Sequence, residues 1–319
     1  MSAFRPFLER AGHRLELRSF PESVWGWFQL ERELSIVDAV ILQRKLIQPW
    51  QLYLLQKSCR TLVYDFDDAV FLRDSYAPKG LVSRRRQRRF TAIVQSADRV
   101  IAGNAFLQQE VSHITHAPKV VTIPTCLDPS EYPVAEHRHL DPKVQLVWIG
   151  SSSTLVGLER IKTLLDGLGQ TYPRLQLKLI CDRFLDLQHL SVIPCSWSPG
   201  RERELLAAAD IGISWLPDDR WSRGKCGLKV LQYMAAGLPV VANPVGVQAE
   251  MVRHGETGFL AHSPRQWIEA IGRLAHDPDL RRRMGRQGRR MVETHFNVAR
   301  GAAGWLAILE EIQTRRKSA

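Results

Sequence analysis

Between Trp221 and Val241 the chain reads WSRGKCGLKVLQYMAAGLPVV. Two lysines, Lys225 and Lys229, stand among Ser222, Gly224 and Gly227. Lysine ammonium groups on a glycine-rich loop suit phosphate, and a pair of them suits a diphosphate. An apolar strand pattern, Asp210 to Leu216, comes before this loop. A helix pattern, Leu228 to Ala236, comes after it, stopped by Gly237 with Pro239 just beyond. Pro239-Val240-Val241-Ala242-Asn243 then reads as the next buried strand. The loop therefore lies at a helix N-terminus, where free N–H groups and the helix dipole attract anions. The same pattern also fits an ordinary βαβ turn with solvated lysines, and both readings stand at this point.

Two further groups have chemistry-bearing types. Asp65, Asp67 and Asp68 close the strand pattern Thr61 to Asp65. Carboxylates at strand C-termini tend to line the crevice of an open α/β sheet, and three together repel one another unless something uses them. The alternative is helix capping or turn formation by Asp67 or Asp68. Gly150, Ser151 and Ser152 follow a strand and precede a helix, so their N–H groups could bind phosphate. A plain turn is the competing reading.

The elements that must position these groups alternate from end to end, which predicts α/β architecture with parallel sheets. The first half reads as helix Phe4–Ala11 and strands Arg14–Arg18, Ala39–Gln43, Thr61–Asp65, Arg99–Ala102 and Val120–Ile123. Helices Pro49–Cys59, Ser83–Ser96 and Phe106–His113 lie between them. Asp128 to Pro142, with Pro129 and Pro133, breaks the rhythm and reads as a linker. The second half reads as strand Val144–Ile149, helix Leu158–Thr171, strand Gln176–Cys181, helix Arg201–Ala208 and the central unit. A short helix, Glu250–Arg253, a strand, Phe259–Ala261, and helices Trp267–His276, Leu280–His295 and Val298–Gln313 follow. The expected architecture is two Rossmann-like domains facing a cleft. They would span residues 1–135 and 136–297, with a helix at 298–319 crossing back. The first half opens on a helix where a doubly wound sheet has its central strand, so the first strand is expected to be missing.

Composition narrows the function. With 319 residues and 45% apolar content, the chain can bury two cores. The formal charge of +11 favours anionic partners. Basic side chains cluster at Arg84–Arg89, at Arg281–Arg290 and at Arg315-Arg316-Lys317. Solvated helix faces are the plain alternative for each. No zinc spacing or RNP-like aromatic run supports nucleic acid. Leu81, Val82 and Phe90 beside the first cluster make an anionic membrane surface the better candidate. The five cysteines, Cys59, Cys126, Cys181, Cys195 and Cys226, have no CxxC or metal spacing. The ten histidines are scattered. Reduced thiols, a cytoplasmic setting and no metal or cofactor are the expectations. The opening, MSAFRPFLERAGHR, has no apolar core of a signal peptide.

ADIGISWLPDD, GKCGLKVLQYMAAGLPVVANPVGVQAEMVRHGETGFLA and LRRRMGRQGRRMVETHF together resemble the donor domain of family-4, GT-B-fold glycosyltransferases (glycosyl transferase group 1). SADRVIAGNAFLQQEV, VVTIPTCLD and LVYDFDDAVF resemble that family's first domain. The resemblance implies retaining transfer of a sugar from a UDP- or GDP-sugar to a glycan or lipid-linked acceptor, in polysaccharide or glycolipid synthesis. The donor would sit on the C-terminal domain without a bound metal. Lys225, Lys229 and the loop Gly224, Cys226, Gly227 and Leu228 would hold the diphosphate, and Gln232 the ribose. Cys195 to Trp197 would frame the base, unless Trp197 serves the core instead. Gly246, in the loop after the PVVAN strand, would approach the donor sugar, as would Glu250 unless it caps its helix. Asp67 falls near a family histidine position, with Asp68 beside it. The family's two glutamates, with seven residues between them, correspond here to Gly224 and Gln232. Those departures and the missing strand support a rival reading, a catalytically weak nucleotide-sugar-binding scaffold of a glycan assembly complex.

Overall fold

Among the described residues, ten short strands form two all-parallel sheets. The computed structural model describes residues 1–115, 119–137 and 143–317, with side chains through residue 314. Residues 138–142 of the expected linker, and the side chains of Arg315, Arg316 and Lys317, lie outside the described residues. The chain divides into two units. Unit 1 holds Met1–Thr125, Asp219–Cys226 and Val298–Ala319, and unit 2 holds Cys126–Asp218 and Gly227–Asn297. Residues 219–226, which include the short helix α9 (Arg220–Arg223) and were read from sequence as part of the second domain, thus pack in unit 1.

Unit 1 is built on β1 (Val40–Gln43), β2 (Leu62–Phe66), β3 (Arg99–Ala102) and β4 (Val120–Thr122), in the order β1-β2-β3-β4. The strand period of two sends Leu62, Tyr64 and Phe66 to one face and Val63 to the other. The first face meets α2 (Val24–Leu34), α3 (Pro49–Ser58), α4 (Arg84–Ser96) and α5 (Ala105–Ser112) through Trp27, Leu52, Leu55, Phe90, Ile93 and Leu107. Every crossover steps the same way along the sheet, so right-handed connections leave α3, α4 and α5 on one side. The second face is covered by α1 (Arg5–Arg10) and α14 (Val298–Lys317), through Leu8, Trp305, Ile308 and Ile312. Side-chain caps fix the starts: Ser23 accepts from the Gly26 N–H at 3.1 Å, and Asn104 from the Leu107 N–H at 2.8 Å.

Unit 2 carries β5 (Val144–Ile149), β6 (Leu175–Cys181), β7 (Ser191–Ser196), β8 (Ile211–Ser214), β9 (Val240–Ala242) and β10 (Gly258–Leu260). Their order is β10-β9-β8-β5-β6-β7. One face packs on α6 (Ser152–Arg160), α7 (Lys162–Thr171), α12 (Pro264–His276) and the first part of α13 (Pro278–His295). The other packs on α8 (Arg201–Ala207), α10 (Leu228–Ala235), α11 (Gln248–Met251) and Val292 of α13.

Three expectations change. Arg14–Arg18 is not a strand. Its alternating Arg-Leu-Glu-Leu-Arg pattern has no neighbour to pair with, because the sheet begins at β1, and only Leu15 packs on a core. The helix expected over Leu158–Thr171 starts earlier and breaks at Ile161 into α6 and α7. β7 and α2 were not foreseen: β7 is an edge strand with little apolar signal, and α2 presents as many apolar residues to solvent as to the core.

Candidate functional site

In unit 2 the strand order reverses at β5, which lies between β6 and β8. Ligands of open parallel sheets bind beyond the strand C-termini at such a switch point. β5 runs there into Gly150, and β8 into Trp215. α10 begins at Leu228, with Gly227 as its N-cap at φ 69. A Cβ at Gly227 would come within 2.6 Å of the Met251 sulfur and 2.9 Å of Val247, so both backbone and packing require glycine. The Lys229 ammonium, in the first turn of α10, lies 3.8 Å from the centroid of the Trp148 ring. The same indole passes Gly150 so closely that a Cβ there would stand 2.4 Å from it. Trp148 therefore brings Lys229 and the Gly150 turn together.

The turn itself has little left to offer an anion. The Gly150 N–H donates to the Ile180 carbonyl at 3.0 Å, and the Ser151 N–H to Thr154 Oγ1 at 3.2 Å. Ser152 gives its N–H and its hydroxyl to Asp182, at 2.6 and 2.8 Å. Those two bonds, the hydroxyl's first, hold the Asp182 carboxyl below its ordinary range. A fixed carboxylate already occupies the N-terminus of α6, so the expectation that Ser151 and Ser152 cradle phosphate through their N–H groups does not survive. The N-terminus of α10 is the better anion site.

A second group gathers around Glu202 in the first turn of α8. Trp197 Nε1 donates to Glu202 Oε2, and Gln232 Nε2 donates to Glu202 Oε1 at 3.4 Å. The Trp197 ring is half exposed, whereas Gln232 is buried. Glu202 is a residue the sequence reading missed. It gives the uncharged Gln232 a carboxylate neighbour, and it holds an open indole face beside both. Gly246 lies in the loop after β9 with φ 56. The Asn243 side chain in that loop exchanges hydrogen bonds with the backbone of Leu216, at 2.9 and 2.6 Å. Leu228 is exposed at the start of α10.

Unit 1 holds a charged cluster at the C-terminal ends of β1 and β2. Arg44 follows β1 with φ 60, a backbone conformation uncommon outside glycine. Its guanidinium reaches Asp67 at 2.7 Å and Asp68 at 3.4 Å. Asp68 also accepts from the Lys225 ammonium at 3.0 Å, and that ammonium lies 3.6 Å from the Trp221 ring centroid. Asp65 accepts from Gln43 Nε2 at 2.7 Å. Burial pushes the Asp65 carboxyl up to about 6, with the Gln43 bond and Arg44 opposing and Asp67 adding to the rise. Arg44 was missed because its backbone strain and partners are invisible in sequence. Its position straight after an apolar strand was the available signal.

Lys225 is brought here because its loop is keyed into unit 1. Asn104 Nδ2 donates to the Lys225 carbonyl at 3.0 Å. Arg220 pairs with both oxygens of Glu110, at 2.8 and 2.7 Å. Gly224 lies against Ala69 and Gly103 against the Cys226 sulfur, with no room for a Cβ at either glycine. Burial first, and then Asp67 and Asp68, push the Cys226 thiol up to about 12, so it is a protonated, inert packing group. Among the described residues, no three His, Cys, Asp or Glu side chains lie together as a metal site needs.

Apart from Ser151, Ser152 and Gly246, the sequence-read residues fall into three groups. Asp67, Asp68, Lys225, Gly224 and Cys226 share one cluster in unit 1. Lys229, Gly227, Leu228 and Gly150 gather at the switch point of unit 2, and Trp197 and Gln232 meet at Glu202.

Residues 192–291 match the family described as "Glycosyl transferases group 1". Spore coat protein SA of Bacillus subtilis (strain 168) is 33% identical over 81 residues, which is 24% of this chain and 22% of that protein. A D-inositol 3-phosphate glycosyltransferase of Corynebacterium jeikeium (strain K411) is 34% identical over 155 residues, 46% of this chain and 31% of that protein. The chain therefore matches less than a third of the length of either relative. Among solved structures, sucrose-phosphate synthase from Thermosynechococcus elongatus superposes with a TM-score of 0.72 at 18% identity, covering 90% of this chain and 77% of that one. Anabaena HepE in complex with UDP and glucose gives 0.69 at 18% identity, covering 97% and 89%. These likenesses show the fold, the GT-B architecture of two parallel α/β units.

Proposed function

We propose that this protein is a retaining glycosyltransferase, transferring a sugar from a UDP- or GDP-sugar to a glycan or lipid-linked acceptor. The observation that carries the reading is the N-terminus of α10 at the unit 2 switch point, with Lys229 fixed over Trp148. The match of residues 192–291 to a glycosyltransferase family supports it. So does the likeness to HepE, whose solved complex contains UDP and glucose. In this reading the leaving diphosphate is met by Lys229 and the first-turn N–H groups of α10, with no metal required. Lys225 is the second lysine assigned to the diphosphate, and its ammonium keeps donors beyond the one given to Asp68. Gln232 and Glu202 take the ribose hydroxyls, and Trp197 offers its open face to the base. Asp67, oriented by Arg44, is the carboxylate assigned to the reacting sugar or its acceptor. Among the described residues no helix is long and apolar enough to cross a membrane. We assign the protein a peripheral place at the cytoplasmic face of the membrane, through the Arg84–Arg89 run.

The test is a pair of measurements. UDP or GDP should raise the unfolding temperature while NAD does not. Lys229→Ala should lose about 2–4 kcal/mol of transition-state stabilisation, seen as donor-sugar turnover falling far more than folding stability. No stabilisation by any nucleoside diphosphate sinks the proposal. The rival scaffold reading draws support from Gly224, which has no room for the family's glutamate, and from the uncharged Gln232. Nucleotide affinity in the parent without transfer to any glycan or lipid acceptor selects that rival.

A further inference from the structure

The helix layer on one face of the unit 1 sheet turns an unusual surface outward. α2 buries Trp27 and exposes Trp25, which is 80% accessible, together with Val24 and Phe28. Trp25 and Phe28 lie more than a quarter of a turn from Trp27, and Val24 borders the buried stripe at the start of the helix. α3 repeats the arrangement. Leu52 and Leu55 face the core, while Trp50 and Tyr53, the latter 64% accessible, face out. The two helices are locked by an edge-on stack of Trp27 and Trp50, with centroids 5.7 Å apart. α4 completes the layer. It buries Phe90, Ile93 and Val94 and exposes Arg84, Arg85 and Arg88. Arg84 and Arg88 line a shallow hollow of about 360 Å³ with Gln87, Thr91 and Gln95. Arg89 ties the layer together by donating to the Leu46 carbonyl just before α3, at 3.3 Å.

We propose that this outer face of α2, α3 and α4 is a membrane-docking surface, with the aromatic side chains of α2 and α3 entering the interface of an anionic bilayer while the α4 arginines engage its phosphates. The inference rests on the reading of the Arg84–Arg89 run as membrane-facing, and adds an anchor that the run does not contain. The composition selects the occupant. Tryptophan, tyrosine and phenylalanine are the residues that settle at the headgroup level, where an apolar ring and a polar edge are both satisfied. Arginine pairs with phosphate oxygens in a fork geometry. Exposed aromatics on two packed helices, next to a cationic helix, match a bilayer with negative headgroups in both its chemistries. A protein partner or a second copy of the chain would use the aromatics but has no need of the arginine face.

Two anchors of different physics can be separated with salt. Vesicles of phosphatidylcholine mixed with phosphatidylglycerol should sediment the parent protein, and pure phosphatidylcholine should do so far less. Salt should remove the arginine contribution and leave a residual affinity from the aromatics. Arg84→Gln/Arg85→Gln/Arg88→Gln should weaken binding about tenfold or more at low salt and abolish the salt dependence. Trp25→Ser/Tyr53→Ser should weaken it about tenfold at every salt concentration and keep the salt dependence. Lipids brominated in their chains should quench part of the parent's tryptophan fluorescence and lose that part in the Trp25 variant. Unfolding temperatures near the parent's would show that both variants fold, as expected for exposed side chains. An aromatic variant that binds like the parent, with no quenching in either, overturns the anchor and leaves the electrostatic reading standing. Absence of binding by the parent overturns both. Concentration-dependent self-association that Trp25→Ser removes, without lipid binding, assigns the face to a second copy and also overturns the proposal.

Discussion

Substituting Gly224 by alanine should destabilise unit 1, although its backbone accepts alanine without strain. Gly224 has φ −78 and ψ −3, which any residue adopts. On that ground alone alanine would stabilise by about 0.4–1 kcal/mol, by restricting the unfolded chain. The space decides otherwise. A Cβ at Gly224 would stand 2.6 Å from the Ala69 Cβ, 3.1 Å from the Ala69 nitrogen and 3.2 Å from a Leu107 methyl. Carbon atoms rest at about 3.5–4.0 Å, so the overlap is about 1 Å against a methyl that cannot rotate away. Overpacking of this kind costs about 1–3 kcal/mol, leaving a net loss of about 1–2 kcal/mol. For a unit of this size that lowers the unfolding temperature by roughly 3–6 °C. Gly224→Glu, which would restore the family's residue, should be worse, because the charge would press into the same gap one residue from Asp68. Thermal unfolding followed by circular dichroism checks both variants. The double change Gly224→Ala/Ala69→Gly, which moves the methyl across the contact, should recover most of the loss. A Gly224→Ala protein that unfolds at the parent's temperature or above it would refute the packing argument.

Asp67→Asn should lower donor-sugar turnover roughly 10²-fold while nucleotide affinity stays at the parent value, and an active Asn variant would remove Asp67 from the chemistry. Glu202→Ala should release both Trp197 and Gln232 and weaken nucleoside diphosphate binding about tenfold, read by calorimetric titration; unchanged affinity would return Glu202 to a structural role. Asp65 is protonated more readily in the folded state than in the unfolded chain, so folding loses stability as pH rises from about 4 to about 6. The stability of Asp65→Asn relative to parent should grow by on the order of 2 kcal/mol across that window, and parallel pH curves would contradict the burial argument. Arg281 is buried, lies 3.4 Å from Asp210 and donates to the Leu274 and Ala275 carbonyls at 2.7 and 3.2 Å. Arg281→Met should cost about 3–5 kcal/mol in denaturant unfolding, since it leaves a buried carboxylate without its cation. Burial works against the Asp210 charge, but His137, the Gln145 N–H and Arg281 together outweigh it and hold the carboxyl below its ordinary range. Its contribution is therefore complete at neutral pH and lost as pH falls through that lowered value. The gap between parent and Arg281→Met should close in acid.

Much of the fold could be read from apolar periodicity. β2, β3, β5, β6 and β9 are short, mostly apolar runs buried on both faces, and they fell within a residue of where the pattern put them. Arg14–Arg18 shows the limit, because alternation makes a strand only when a neighbour completes its ladder. α2 shows the opposite limit: its stripe of Trp27 and Leu30 was hidden among outward-facing Trp25 and Phe28. In the site, residue types were legible and occupancy was not. Lys225 and Lys229 look equivalent in sequence, yet one is held by Asp68 and the other lies on Trp148. Ser152 looked like a free donor until Asp182, thirty residues away, was seen to take both its N–H and its hydroxyl.

The position of α14 bears on the order in which the molecule can be made. Trp305, Ile308 and Ile312 seal one side of the unit 1 sheet over Val63 and Ile101, and Glu311 clamps Arg99 at the edge of that layer. A ribosome delivers the four strands beneath them long before residue 298 is synthesised. At about 5–20 residues per second, the uncovered side waits on the order of ten to thirty seconds after β4 emerges. All of unit 2 is polymerised during that interval. The unit made first is thus the last to close, and its sheet face, covered until then by α1 alone, is the nascent surface that a chaperone would meet.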